Sequence, residues 1–74
     1  MKDQRKLVTK CLMNDIPAFV LCGTDVNALE ALREYQRLAV ENGCSNVFLD
    51  DLQLLINDFE AYQAEEPESV KIPD

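Results

Sequence analysis

The sequence Phe19-Val20-Leu21-Cys22-Gly23-Thr24-Asp25 joins two kinds of structure, because an apolar run ends at its glycine and a long helical pattern begins after it. The β-rich run at 18–22 follows a proline and stops at Gly23, which is typical of a short buried strand bounded by turn residues. Thr24 and Asp25 then offer side-chain oxygens to the first free amides of a helix. We therefore predict one short strand at about 18–22, a turn and a capped helix.

This predicted strand needs a partner, because its backbone amides and carbonyls must be hydrogen-bonded when they are buried. One candidate is the tail at 70–72, which alternates apolar and charged residues, although a frayed terminus is an equal alternative. A second candidate is the N-terminal run, if that run is extended. The third is 18–22 of a second chain, which would place this stretch at the seam of a dimer.

Two long helical patterns follow the turn. The first, at about 25–42, places these apolar residues on one face: Ala28, Leu29, Leu32, Tyr35 and Ala39. Gly43 ends it, because glycine adopts the left-handed conformation past a helix end at little cost. The second, at about 46–64, begins after Ser45 or Asn46 as the cap, and its stripe is Phe48, Leu52, Leu55, Ile56 and Phe59. The short connection predicts an antiparallel or steeply crossed helical hairpin.

The N-terminal segment and the tail complete a single small domain, 1–74, of the mainly α class. Residues 3–13 carry an apolar face, formed by Leu7, Val8, Cys11 and Leu12, and we predict a short amphipathic helix. A strand is the alternative, since Asn14 and Asp15 suit a turn into a hairpin. Pro67 and the acids before it predict that the last helix ends near 64, leaving 65–74 as an extended tail.

Composition excludes several classes of protein. Fourteen acidic and seven basic side chains give a net charge of −7, which excludes a generic nucleic-acid binder. Three cysteines without a CxxC spacing, and no histidine, point away from a disulfide framework, a metal site or another cofactor. No apolar run approaches the ~20 residues of a membrane span, so we expect a cytoplasmic protein with no membrane contact.

The charge is divided unevenly along the chain. Basic residues cluster near the N terminus, whereas the last twenty-five residues carry eight acids and only Lys71 as a base. A head-to-tail or antiparallel contact between copies would gain from this difference in sign. Because a chain of 74 residues builds only a marginal core, self-association is the expected source of further stability.

Candidate site residues fall into a ligand-binding group and an interface group. Helix N termini hold anions, so Gly23 and Thr24 are candidates, and a cleft near Arg33 and Arg37 with Tyr35 is the other place where a small anion would bind. One glycine and no lysine do not make a phosphate loop. The candidate interface residues are Phe19, Leu21, Val47, Leu54 and Tyr62. Without histidine, acid–base chemistry would rest on exposed carboxylates, and we predict that the chain is not an enzyme.

The pattern Phe-Val-Leu-x-Gly-x-Asp at 19–25, with Gly43 at the helix break and Lys-Ile-Pro-Asp at 71–74, resembles small uncharacterised proteins encoded in bacteriophage and prophage genomes. The resemblance covers most of 17–74 and includes no catalytic residue. It implies an accessory setting in which small acidic proteins act by binding, for example by blocking a host defence protein.

Three functions are therefore weighed. The preferred one is a non-catalytic binding protein that forms a homo-oligomer and acts on a partner protein. The alternative is a sponge that sequesters a nucleotide-type signalling ligand at a helix N terminus or a subunit interface. The third is a nucleic-acid mimic that uses the acid-rich C-terminal third to occupy a basic cleft.

Overall fold

The structure, a computed structural model, describes residues 3–74 and is mainly helical, as predicted. Its elements are α1 (Gln4–Met13), α2 (Ala28–Glu41) and α3 (Asn46–Glu65), followed by a short 3-10 helix at Pro67–Ser69. The N-terminal segment is thus a helix and not a strand, which confirms the preferred prediction for 3–13.

Helices α2 and α3 run antiparallel and form the predicted hairpin. Two side-chain contacts bridge them: Arg33 Nη2 lies 3.2 Å from Glu60 Oε1, and Gln36 Nε2 donates to Gln53 Oε1 at 2.7 Å. The residue number on α3 falls as the number on α2 rises, as antiparallel packing requires.

The hydrophobic core lies between these two helices. The buried hydrophobic side chains among the described residues are Ala28, Leu32, Ala39, Leu52 and Ile56. Half-buried side chains packed against this cluster are Leu21, Leu29, Cys44, Phe48, Leu49, Leu55 and Phe59. The core therefore comes almost entirely from the stripes that the helical periodicity predicted, and Leu21 is the one contribution from the segment before α2.

The turn between α2 and α3 is built as its sequence predicts. Gly43 has φ +74°, and the amide of Cys44 donates to the Ala39 carbonyl at 3.0 Å, which closes a Schellman motif at the end of α2. Ser45 then caps α3, because its Oγ accepts a hydrogen bond from the Phe48 amide at 3.2 Å.

The predicted strand at 18–22 is wrong: no strand is found in the part of the chain that is described. The C-terminal tail does contact this part of the chain, but it does so after Gly23, where Asp25 and Lys71 form an isolated parallel bridge. The Lys71 amide donates to the Thr24 carbonyl at 2.9 Å, and the Val26 amide donates to the Lys71 carbonyl at 3.0 Å. Since these bonds are made after the turn, the tail does not pair with the run at 18–22, whose Cys22 carbonyl instead accepts a local bond from the Asp25 amide at 3.0 Å, and the run forms no strand.

This bridge also delays α2, which begins at Ala28 and not near 25. The backbone on both sides of Asp25 is occupied by the tail, so it does not enter the helix. Asp25 Oδ1 accepts a hydrogen bond from the Asn27 amide at 2.8 Å, which makes a local turn in place of the predicted helix cap. The segment predicted as an extended tail, 65–74, likewise starts with the end of α3 and a 3-10 helix.

Helix α1 stands apart from the hairpin. Its cap is Asp3, whose Oδ1 accepts hydrogen bonds from the amides of Arg5 and Lys6 at 2.9 and 3.3 Å. None of its residues is buried, and within residues 3–74 no Cα atom of α1 comes within 8 Å of a Cα atom of α2 or α3. Its own backbone bonds and its caps therefore support it locally, and α2 and α3 do not pack closely against it.

The isolated chain is more open than its size requires. Its solvent-accessible surface is 5915 Å², whereas a compact protein of this mass exposes about 4,600 Å². Its radius of gyration is 13.5 Å, against about 11 Å for a compact chain of this length. The detached helix and the segment after it account for the open shape.

Candidate interaction surface

The turn after the apolar run is held from two sides. Gln63 Nε2 donates to the carbonyls of Gly23 and Asp25 at 3.1 and 3.2 Å, and Lys71 bonds to the same turn through its backbone. The ring of Tyr62 packs against Gly23, where an added Cβ would lie 3.1 Å from Tyr62 Cδ1. The turn is thereby fixed to the C-terminal end of α3.

This geometry separates the predicted anion site from the helix that was to form it. Gly23 and Thr24 lie before the start of α2 at Ala28, and their carbonyls are occupied by Gln63 and Lys71. The free amides of the first helical turn therefore belong to later residues, and Gly23 and Thr24 do not lie at a helix N terminus.

The predicted cationic cleft is made of groups that already have partners. Arg33 pairs with Glu60, and Arg37 bonds to Glu34 and Glu41 along the exposed side of α2. The Arg37 hydrogen bonds hold the pKa of Glu34 below its ordinary value, and the same contacts raise the pKa of Arg37. An anionic ligand would therefore compete with a carboxylate that already lies beside each guanidinium.

Tyr35 packs against the facing helix, α3, and does not complete a cleft with Arg33 and Arg37. Its ring centroid lies 6.3 Å from that of Phe48 on α3, with the two planes tilted by 56°. Because residues two apart on a helix point to different sides, Tyr35 does not share a face with Arg33 or Arg37. The structure thus does not bring the three together on one surface.

Cys22 has a distinct environment among the three free cysteines. Its thiol is exposed, whereas those of Cys11 and Cys44 are half-buried. The Thr24 hydroxyl donates to Cys22 Sγ at 3.3 Å, and this bond, with the Thr24 amide, holds the pKa of the thiol below its ordinary value. Among the described residues, no group of three or more histidine, cysteine, aspartate or glutamate side chains is placed so that it could hold a metal ion.

The predicted interface residues divide into two sets. Leu21 packs on the core and Tyr62 packs on Gly23, so both are used within the chain. Phe19, Val47 and Leu54 remain exposed, on the segment before the turn and on the outer side of α3. Tyr62 is still 37% exposed, so these three have the largest exposed fractions of the five predicted interface residues.

Further exposed apolar residues escaped the sequence reasoning. The sequence predicts a buried strand around Val20 and the end of a helix at Met13, yet both side chains are largely exposed. We define the linker as residues 14–22 and its exposed apolar residues as Ile16, Phe19 and Val20. The signal that would have identified them is the number of apolar residues before Gly23, which exceeds what a two-helix core can cover.

The comparisons with known proteins give no relative from which a function is transferred. Of the helices described, none combines the length and hydropathy that a bilayer crossing requires. No family model, no curated protein and no solved structure matches the chain.

Proposed function

We propose that the chain is a small acidic binding protein that acts without catalysis, by attaching its linker to a partner protein, and that it works as a homo-oligomer. The proposed setting is the cytoplasm of a bacterial cell, with the chain as a phage-type accessory protein. The partner is a host protein, and inhibition of a host defence protein is the role that fits such a setting.

One observation carries this proposal: Phe19 and Val20, which have the composition of a buried strand, are 83% and 70% exposed. Burying one phenylalanine or valine side chain is worth about 1.5–3 kcal/mol. Two adjacent side chains of this kind on a small protein are typical of a binding segment, since aromatic anchors dominate protein interfaces.

The anchored turn supports the same interpretation. Gln63 and Lys71 hold the chain just after Phe19 and Val20, so the linker leaves the hairpin from a fixed point. A segment presented from a rigid support loses less conformational freedom on binding than a free peptide does. The acidic hairpin would add long-range attraction toward a basic partner surface.

The test compares the wild-type chain with a Phe19→Ser/Val20→Ser variant. Proteins captured from a bacterial lysate by the wild-type chain are purified, and the affinity of each is measured by calorimetry. Loss of both apolar contacts should weaken true binding by at least about a hundredfold, because each contributes about 1.5–3 kcal/mol. The matched control is Val40→Ser, an exposed apolar residue near the end of α2.

Three results would overturn the proposal. One is a purified partner whose affinity is the same for the linker variant and for the wild-type chain. Another is the absence of any partner whose capture survives purification of both proteins. The third is a Val40→Ser chain that loses affinity equally, which would show that general surface polarity, and not the linker, is responsible.

A further inference from the structure

The apolar face of α1 lies away from the hairpin, since among residues 3–74 no Cα atom of α2 or α3 lies within 8 Å of a Cα atom of α1. It comprises Leu7, Val8, Cys11 and Leu12, of which none is buried. On a helix of 3.6 residues per turn, Arg5 borders this face on one side, and Lys6 and Lys10 border it on the other. The face is therefore an apolar stripe with cations along both edges.

A complementary stripe lies on the outer side of α3. Val47, Leu54 and Ala61 recur every seven residues and so lie on one side of that helix, and Val47 and Leu54 are 72% and 62% exposed. We call these three residues the outer strip. Asp50 and Asp58 are exposed and border it, so this stripe is apolar with carboxylates along its edges.

We propose that two copies of the chain exchange their N-terminal helices, each laying the apolar face of α1 on the outer strip of α3 in the other copy. The stripes match in chemistry, since apolar surface meets apolar surface and lysines meet aspartates. The outer strip is also long enough to hold α1: α1 has ten residues and spans about 15 Å, whereas the outer strip spans about 21 Å.

The division of charge along the chain favours the same contact. Residues 1–24 carry four basic and two acidic side chains, whereas residues 25–74 carry three basic and twelve acidic ones. The N-terminal part of one copy is therefore attracted to the hairpin of another. Two hairpins, or two N-terminal parts, would instead repel each other.

The occupant is a second copy because α1 does not dock on its own hairpin in the isolated chain. Because the turn is held on α3, only the linker, residues 14–22, is free to extend, and its nine residues reach about 30 Å, well beyond the 18 Å thickness of the molecule. The excess exposed surface, about 1,300 Å² per chain, is larger than the ~800 Å² that each partner buries in a stable complex. A two-fold exchange makes every contact twice.

This inference deepens the homo-oligomer part of the proposed function and leaves the linker free for the partner protein. The dimer and the partner are therefore tested by different variants. Phe19→Ser/Val20→Ser should weaken partner binding and leave the oligomeric state unchanged, so failure of one proposal does not imply failure of the other.

The test is a pair of charge reversals and their combination. Lys6→Glu/Lys10→Glu reverses the edge of α1, and Asp50→Lys/Asp58→Lys reverses the edges of the outer strip. The dissociation constant of the dimer is measured by analytical ultracentrifugation of the full chain at low salt. Each double variant alone should weaken the dimer by about tenfold or more, because attractive pairs become repulsive in both halves of the interface.

The combined quadruple variant restores opposite signs and should recover most of the wild-type affinity. This recovery distinguishes a specific contact from damage to α1, since the quadruple variant carries the same glutamates on that helix. The control for net charge is Glu68→Lys/Asp74→Lys. It changes the net charge by the same amount as Asp50→Lys/Asp58→Lys, but at the tail, and should leave the dimer unchanged.

Three outcomes would overturn the exchange. The first is a wild-type chain that stays monomeric at millimolar concentration, including one whose α1 amides are protected from exchange by docking on the same chain. The second is a dimer that neither double variant weakens. The third is a quadruple variant no tighter than the two double variants, which would show that the lysines and aspartates do not face each other.

Discussion

Gly23 lies against an aromatic ring, and this close approach explains the need for glycine at the turn. A Cβ atom there would stand 3.1 Å from Tyr62 Cδ1, closer than ordinary van der Waals contact. We expect Gly23→Ala to destabilise the chain by about 1 kcal/mol, since overpacking outweighs the entropy gained by replacing glycine. Urea unfolding measures this change, and Gly23→Ala combined with Tyr62→Leu should recover part of the loss.

Gly43 provides the contrast at the same scale. It has φ +74° and open space around it, so its requirement is conformational and not steric. Gly43→Asn should therefore be better tolerated than Gly43→Ala, because asparagine adopts the left-handed region more readily. At Gly23, where the requirement is steric, a Gly23→Ala chain as stable as the wild type would contradict the prediction, because it would show that the Tyr62 ring moves away at no cost.

Cys22 is a second residue with a property that depends on one neighbour, because the pKa of its thiol depends on Thr24. Thr24→Val removes the hydroxyl that donates to its sulfur, so the pKa of the thiol should rise toward its ordinary value. Alkylation by iodoacetamide near neutral pH should then slow by roughly two- to tenfold, because the thiolate is the reactive form. Mass spectrometry of the Cys22 peptide measures the rate.

The controls for this experiment lie within the same chain. Cys11 and Cys44 are half-buried and distant from the substitution in sequence, so their alkylation rates should not change. Thr24→Ser keeps a hydroxyl and should keep the wild-type rate at Cys22. Equal rates for the valine and serine variants would rule out the hydrogen bond as the cause.

At the scale of elements, the helices were predictable because their signals are local. Periodicity places the buried faces of α2 and α3, and Gly43 and Ser45 act within a few residues of themselves. The strand at 18–22 depended on a distant partner, and composition does not say where the tail meets the chain. The tail contacts the chain at Asp25, and because of this contact α2 begins at Ala28 and not near 25.

The backbone bridge between the tail and the turn can be broken by a substitution to proline. Lys71→Pro deletes the amide that donates to the Thr24 carbonyl, and we expect a loss of about 0.5–1.5 kcal/mol. The Val26 amide, which donates to the Lys71 carbonyl, should then exchange with solvent faster. Lys71→Ala keeps the amide, so unchanged exchange at Val26 in that variant and faster exchange in Lys71→Pro attribute the effect to the backbone bond.

At the scale of the whole molecule, the candidate surface was only partly predictable. The helical pattern predicts an interface at Val47 and Leu54, because they lie off the main stripe of their helix, and both are exposed. The sequence predicts that Val20 is buried in a strand, and it is exposed as well. The difference arises because exposure on a helix follows from local geometry, whereas exposure of the linker depends on whether any other segment covers it.

The detached position of α1 implies that the molecule unfolds in two independent parts. Isolated helices shorter than about 12–15 residues are marginal in water, and α1 has ten residues, of which none is buried and none has a Cα atom within 8 Å of a Cα atom in α2 or α3 among the described residues. Both tyrosines lie in the hairpin, Tyr35 on α2 and Tyr62 on α3, and the chain has no tryptophan. Tyrosine fluorescence therefore reports the hairpin alone, whereas circular dichroism reports all helices.

We accordingly expect Val8→Pro, which breaks α1 in its interior, to lower the helical signal of the dilute monomer without moving the urea midpoint seen by tyrosine fluorescence. A proline costs a helix about 3 kcal/mol, but this cost stays in α1 when that helix supports nothing else. The matched substitution Ala31→Pro in α2 should shift the fluorescence midpoint strongly, since the hairpin loses one of its two helices. A shifted midpoint for Val8→Pro would mean that α1 packs on its own hairpin in the monomer, and the exchange between copies would then have to displace that contact.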